Sequence, residues 1–180
     1  MRRIRARRGT RDLDKLQRLV VDTSFVKNVY GREVLGRNPT DRGRKATKVS
    51  LLTDGAGTPV GMTFHRGNRH DGKVLQHTLS SAHRKVGIRG RYTALFADKG
   101  YDSAACRHVA RAFGMQPRIS RRGVATHAPD NAKRVCVEQS FGLFDHFRRI
   151  RVRYEARIHA FKSMHFFAAC IVVFRRCVCG

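Results

Sequence analysis

The sequence predicts a mixed α/β fold, and two observations carry that prediction. Two apolar runs, residues 47–53 and 59–64, flank Asp54-Gly55, a dipeptide typical of a hairpin turn between antiparallel strands. After this hairpin, segments with apolar residues at helical spacing alternate with short apolar runs. The resulting order is strand, hairpin, helix, strand, helix, strand and two helices, with antiparallel neighbours first and crossover connections afterwards.

The first part of the chain predicts a basic arm, a strand and a loop. Residues 1–16 predict a poorly ordered arm whose arginines suit either a nuclear localisation signal or a phosphate-binding segment. Leu19-Val20-Val21-Asp22 predicts the first strand. Residues 28–48 have no sustained apolar period and predict a loop. Asp54 is explained by its hairpin turn rather than by catalysis.

Helices alternate with short strands in the remainder. Residues 74–83 predict a helix with Asp71 as its N-cap. The run 92–96 predicts a strand that ends in Ala97-Asp98, and Asp102-Ser103 begins a second helix closed by Gly114. The later elements are a short strand at residues 116–119, a basic loop over 120–131, and helices over about 132–147 and about 158–177.

Composition limits the partner and the compartment. The 180 residues suit one domain, and 38 Lys plus Arg against 13 Asp plus Glu give a formal charge of +25, which attracts DNA or RNA. Five cysteines without Cys-x-x-Cys spacing favour a reducing, intracellular compartment over a disulfide framework or a zinc site. The apolar run 164–174 is shorter than the roughly 20 residues of a membrane span and predicts a buried helix. No membrane partner is expected.

Three acids are the candidate catalytic residues. Asp22 and Asp98 each close an apolar run, and open α/β sheets keep their sites at the carboxyl ends of strands. Taken alone, Asp98 could merely begin a turn. Glu138 lies within residues 134–144, a predicted helix. Two strand-borne Asp residues and one helix-borne Glu form a set that can hold a pair of hard divalent cations through oxygen ligands.

An ordered set of motifs surrounds these acids. Its pieces are Val20-Val21-Asp22-Thr23-Ser24, Arg42-Gly43-Arg44-Lys45, His70-Asp71, Ala97-Asp98-Lys99-Gly100-Tyr101-Asp102, Arg134 with Glu138, and residues 147–155. Over residues 20–174 the chain resembles the catalytic domain of insertion-sequence transposases of the IS4/IS5 kind, the DDE transposases. The resemblance implies a ribonuclease H-like mixed sheet flanked by helices, with residues 17–180 as that domain. In such a fold the first and fourth strands are adjacent, which would bring Asp22 and Asp98 together.

The resemblance also implies a chemistry, which is metal-dependent DNA strand cleavage and strand transfer with two Mg²⁺ or Mn²⁺ ions. Asp22 and Asp98 would be the principal metal ligands, and Glu138 would bind one metal or accept a proton from water. It further suggests that His70 and Asp71 face the site. The expected phosphate contacts are Lys99, Arg134, Arg148 and Arg149.

Two departures from the family pattern leave a second hypothesis open. Asn131 stands where these transposases carry Tyr, and Asp145 stands where they carry Lys, so that DNA binding should be weaker there unless Arg148 or Arg149 neutralises the acid. Only 21 residues precede Asp22, where relatives place a helical DNA-binding region. We therefore expect either a separate DNA-binding polypeptide or a truncated, catalytically impaired remnant that only binds DNA. A homodimer is expected because transposases bring two DNA ends together, and an RNA-associated protein is the weaker third hypothesis.

Overall fold

The computed structural model describes residues 17–124 and 128–176, without the side chains of residues 128–133. The expected arm at 1–16 and the side chain of Asn131 lie outside this description. The strands are β1 Arg18–Asn28, β2 Gly36–Arg37, β3 Lys45–Asp54, β4 Pro59–Arg66, β5 Ala94–Ala97, β6 Gln116–Ile119 and β7 Val152–Arg153. The helices are α1 Asp71–Val86, α2 Ala104–Ala112, α3 Ala128–Asp145, α4 Arg148–Arg151 and α5 Ile158–Phe174, with one 3-10 turn at Lys99–Tyr101.

These elements confirm the predicted mixed α/β class. The sheet runs in the order β2-β3-β1-β5-β6, with β4 also paired to β3 and β7 also paired to β1. Strand β3 is antiparallel to β1 and to β4, whereas β5 is parallel to both β1 and β6. The antiparallel strands thus come first and the crossovers follow, as the order of sequence signals requires.

Strand β1 is longer than its neighbours on one edge, and this opens the sheet. Residues 18–20 of β1 pair with β5, and Lys27 and Asn28 pair with β7. Between these two ladders, residues 21–26 pair on this edge with no strand in the described part of the chain. The free edge of β1, defined as residues 21–26, is therefore open to a cleft.

Two hydrophobic clusters cover the two faces of the sheet. Successive side chains of a strand point to opposite faces. Leu19 and Val21 accordingly pack in the cluster that contains α1 and α2, whereas Val20 and Val26 pack in the cluster that contains α3 and α5. This alternation places Asp22 on the α3 face and Thr23 on the α1 face.

Several local predictions were wrong. The predicted loop over residues 28–48 contains β2 and the start of β3. Asp71 is not the N-cap of α1, because His70 occupies that position and its Nδ1 accepts the Gly72 N–H at 3.1 Å. The basic loop over 120–131 is shorter than predicted, since α3 begins at Ala128.

The C-terminal region also differs. Helix α3 ends at Asp145, earlier than predicted, and the two short elements α4 and β7 that follow it were missed. The predicted end of α5 at about 177 lies outside the described residues. Helix α5 is only partly buried, since Phe167 and Phe174 are 66% and 59% exposed. Among the residues that the structure describes, no helix is both long enough and apolar enough to cross a membrane.

The hairpin turn was predicted correctly. Asp54 Oδ1 accepts the backbone N–H groups of Ala56 and Thr58 at 2.9 and 2.8 Å, so its carboxylate is used within the turn. The second helix likewise begins as expected, with Ser103 Oγ accepting the Cys106 N–H.

Candidate active site

The parallel pairing of β1 with β5 brings two of the predicted acids to one end of the sheet. Val20 pairs with Phe96, and each strand reaches its acid two residues later, at Asp22 and at Asp98. Each carboxylate is oriented by a local backbone donor. The Thr23 N–H lies 2.8 Å from Asp22 Oδ1, and the Gly100 N–H lies 2.9 Å from Asp98 Oδ1.

Asp22 is the most strongly perturbed of these acids. Its pKa is raised from 3.8 to about 6, chiefly by burial and additionally by the charges of Asp98 and Glu138. The Thr23 N–H and the charge of Arg134 act in the opposite direction. Asp98 and Glu138 are therefore near enough for their charges to act on Asp22.

Helix α3 supplies Glu138 from the face of the sheet on which Asp22 lies. Val137 and Phe144 are buried in the cluster that also holds Val20, and they attach α3 to β1. The Glu138 side chain is 57% exposed, and its Oε1 lies 3.9 Å from the Arg134 guanidinium one helical turn away. Arg134 thus orients Glu138 loosely while adding positive charge near Asp22.

A fourth carboxylate, Asp71, lies at the same place. Its Oδ1 accepts hydrogen bonds from the Thr23 hydroxyl at 3.0 Å and from Lys48 Nζ at 2.8 Å. The Lys48 side chain is only 5% exposed; its Nζ also donates to the Arg69 carbonyl at 2.7 Å and lies over the Phe25 ring. Asp71 therefore faces the site, as the resemblance suggested, whereas the His70 ring caps α1.

Gly100 is required by the close approach of two of these acids. A Cβ at this position would lie 3.0 Å from Asp98 Oδ1 and 3.2 Å from Asp71 Oδ2. The next residue, Tyr101, is 1% exposed, and burial together with the charges of Asp71, Asp22 and Asp98 raises its pKa well above the usual value. The site is thus a group of carboxylates around a buried phenol and a buried ammonium.

The sequence reading had not assigned Thr23, Lys48 or Tyr101 to the site. Lys48 carried a usable signal, because it is a charged residue in the middle of a strand whose neighbours are apolar or small. A buried lysine requires a partner, and the carboxylate of Asp71 is that partner.

The acids suit a hard divalent cation in their donor chemistry. Oxygen ligands are what Mg²⁺ and Mn²⁺ prefer, and the second oxygens of Asp22 and Asp98 accept no hydrogen bond from the described residues. Among the side chains that the structure describes, those of residues 17–124 and 134–176, no three His, Cys, Asp or Glu side chains are already clustered as metal ligands. Glu138, exposed and loosely paired, is the side chain with the freedom to move.

We expect Asp22→Asn to stabilise the metal-free protein above about pH 6. The pKa of the Asp22 carboxyl is higher in the folded state than its value of 3.8 in the unfolded state. The stability that the protonated carboxyl gives the wild-type protein is therefore complete below pH 3.8 and is lost as the pH rises through about 6. At higher pH the ionised carboxylate costs folding about 1 to 3 kcal/mol, which Asn removes. Thermal unfolding in EDTA at about pH 5 and about pH 8 measures this. A variant no more stable than wild type at the higher pH would contradict it.

The predicted phosphate contacts occupy two places. Lys99 is exposed on the 3-10 turn directly after Asp98. Arg148 and Arg149 lie on α4, where they line a groove of about 690 Å³ that also contains Ser24 and Asp145. Arg149 is paired at 3.1 Å with Glu155, which is 7% exposed, whereas Arg148 has no ion pair among the described residues.

Comparisons with known proteins agree with this geometry. The family model described as "Transposase DDE domain" matches residues 14–173. A protein of Burkholderia cepacia named as a transposase for insertion sequence element IS402 is 32% identical over 149 residues, covering 81% of this chain and 69% of that protein.

Solved structures share the fold at low identity. A chain of the simian T-cell lymphotropic virus intasome aligns with a TM-score of 0.55 at 12% identity, over 94% of this chain and 50% of that one. A chain of the Mos1 strand transfer complex aligns with a TM-score of 0.52 at 14% identity, over 86% of this chain and 48% of that one. The catalytic domain of Mos1 transposase, in a structure with Raltegravir and Mn, aligns with a TM-score of 0.50 at 10% identity, over 90% of this chain and 84% of that one.

The chain spans about half the length of the first two of these solved chains, and 84% of the isolated Mos1 catalytic domain. Its curled mixed sheet with flanking helices is the ribonuclease H-like fold of those transposase and integrase catalytic domains. Together with the family match over most of its length, this shows that the chain belongs to the DDE transposase domain family.

Proposed function

We propose that this chain is a catalytic domain that cleaves DNA strands and transfers them, in transposition of an insertion sequence of the IS4/IS5 kind. The observation that carries the proposal is the strand register that brings Asp22 and Asp98 to one end of the sheet beside the free edge of β1, with Glu138 near enough for its charge to raise the pKa of Asp22. Family membership supports the general activity.

In this proposal Asp22, Asp98 and Glu138 hold two Mg²⁺ or Mn²⁺ ions. When bound, such a metal pair makes the attacking hydroxyl more acidic and offsets the charge of the leaving oxygen. The chain's own groups then have defined tasks. The Thr23 and Gly100 N–H groups fix one oxygen of each Asp, which leaves the other for a metal.

Cationic side chains would position the DNA. Arg134 is a candidate phosphate donor, because its 3.9 Å distance from Glu138 is too long for a hydrogen bond and leaves that guanidinium N–H available. Lys99 is exposed directly after Asp98, and Arg148 is exposed on α4, after Glu138 in the chain. These contacts add affinity without sequence information, so the element's ends require other recognition, which a separate polypeptide or a second copy would provide.

Metal removal tests the proposal. DNA carrying an element end should be nicked or joined in the presence of Mg²⁺ or Mn²⁺, and EDTA should abolish all product, because the acids alone cannot activate the attacking hydroxyl. Gel analysis of end-labelled DNA measures both reactions. Product formed equally in EDTA would contradict the proposed chemistry.

A second candidate is a remnant that binds DNA without cutting it. Asp145, an exposed acid in the groove where the family carries Lys, favours it. Such a protein would bind DNA with a steep salt dependence, since each phosphate contact it makes releases counterions and makes the slope of log K against log salt more negative by about 0.9. Binding without any metal-dependent product would support the remnant. In either case we propose that the protein works where the cell keeps its DNA, the bacterial cytoplasm or a nucleus.

A further inference from the structure

The groove beside the acids is continuous with the free edge of β1. Ser24 lines it two residues after Asp22 and on the same face of the strand, about 7 Å further along. Lys27 and Arg151 line its far part, with Arg148 in its wall. Four cationic side chains and one acid line the groove, so that it attracts a polyanion.

An exposed aromatic pair stands at the far end of this groove. Tyr154, which lines the groove, is 52% exposed, and Tyr30 is 66% exposed. Their ring centroids are 6.1 Å apart with the planes inclined at 48°. The backbone brings them together, because the strand pairs Lys27–Val152 and Asn28–Arg153 directly precede them.

The backbone that carries this aromatic pair is held in place by hydrogen bonds. Arg153 is fully buried, and its guanidinium donates to the carbonyls of Glu33, Glu155 and Ala156 and to the Thr47 hydroxyl, at 2.7 to 3.2 Å. The backbone N–H groups of Val29 and Arg32 donate to the carbonyls of Arg153 and Ala156. The buried Arg153 therefore fixes the backbone segments that carry the two exposed rings.

We propose that Tyr30 and Tyr154 form a stacking platform for an unpaired base of a DNA strand whose backbone follows the groove. Aromatic side chains beside a basic groove are the usual means of holding single strands. In a duplex the faces of the bases are covered by their neighbours, so only a frayed, flipped or single-stranded base offers its face to the rings. This inference rests on the proposed function for the identity of the polyanion, and it adds the form of DNA that the site prefers.

Tyrosine fluorescence reports on the platform directly. The chain has four tyrosines and no tryptophan, and the other two, Tyr92 and Tyr101, are 9% and 1% exposed. In EDTA, where no cleavage is expected, a duplex with a single-stranded tail of about six nucleotides should quench the emission of the full chain, whereas the blunt duplex should not.

Binding anisotropy with the same two DNAs gives the quantitative test. We expect Tyr30→Ala/Tyr154→Ala to weaken binding of the tailed duplex about five- to a hundredfold while changing the blunt duplex less than about twofold. Phe167→Ala is the matched control, because Phe167 is also 66% exposed but lies on α5, outside the residues lining the groove. It should change neither affinity.

The outcomes separate this inference from the proposed function. Equal weakening on both DNAs, or none, would overturn the platform and leave the proposed transposase chemistry intact. Selective weakening in a chain that yields no metal-dependent product would keep the platform and overturn that chemistry. A wild-type dimer that the tyrosine variant dissociates, measured by sedimentation without DNA, would identify the pair as a contact between copies and would also overturn the platform.

Discussion

Asp98→Asn should lower metal-dependent DNA cleavage by at least about a thousandfold, since a metal ion stabilises the transition state by several kcal/mol and each 1.36 kcal/mol is tenfold in rate. The substitution removes a negative charge but keeps an oxygen that can accept the Gly100 N–H. The fold should therefore survive while the metal is lost. Rates of nicking by single-turnover assay, at saturating Mg²⁺, measure the effect.

The control for this experiment is Asp41→Asn. The Asp41 side chain has no hydrogen bond or ion pair with the described residues, and it lies in the turn after β2, away from the acids along the sheet. The Asp41→Asn variant should cleave DNA at the wild-type rate. If Asp98→Asn retained a rate within about tenfold of wild type, with both variants folded by thermal unfolding, Asp98 would not be a metal ligand.

The part of the site that sequence could predict is the part fixed by strand register. Asp22 and Asp98 follow apolar runs that predict strands, and the family resemblance implies that these two strands are adjacent. The pairing of Val20 with Phe96 places both acids two residues further on. Glu138 was predictable only through the family resemblance, because helical period gives its face on α3 but not which part of the sheet that face meets.

Asp71 shows why the remainder could not be predicted from pattern alone. Asp is preferred over His as an N-cap, so the pair His70-Asp71 before a helix favours Asp71 as the cap. In the fold, the His70 ring takes that position, and the Asp71 carboxylate is free to bind Lys48 and Thr23. A long-range ion pair outweighed a local preference.

Short and uniformly apolar elements were the other source of error. Helix α4 has four residues and β7 has two, too few to show a period, yet they build the wall of the groove. Helix α5 is apolar all round, a pattern typical of a buried helix, but the sheet covers one side of it and leaves Phe167 and Phe174 exposed.

Lys48→Met should destabilise the protein by about 2 to 4 kcal/mol, because it removes one member of a buried ion pair and leaves the other without a partner. The Asp71 side chain is 27% exposed and already lies near the charges of Asp98 and Asp22, which repel it once the ammonium is gone. The matched control is Lys45→Met, an exposed lysine at the start of the same strand, which should change stability by less than about 0.5 kcal/mol. Urea unfolding measures both, and equal losses would contradict the buried pair.

A double-mutant cycle isolates the pair itself. Asp71→Asn alone should also destabilise, since it leaves the Lys48 ammonium buried beside the Phe25 ring with neutral oxygen acceptors and without its carboxylate counter-charge. Lys48→Met in the Asp71→Asn background should then cost less than it does in wild type, by about 1 kcal/mol or more, because no charge remains to be left unpaired. Additive losses would mean that the 2.8 Å contact carries no coupling, and that Lys48 acts through its packing alone.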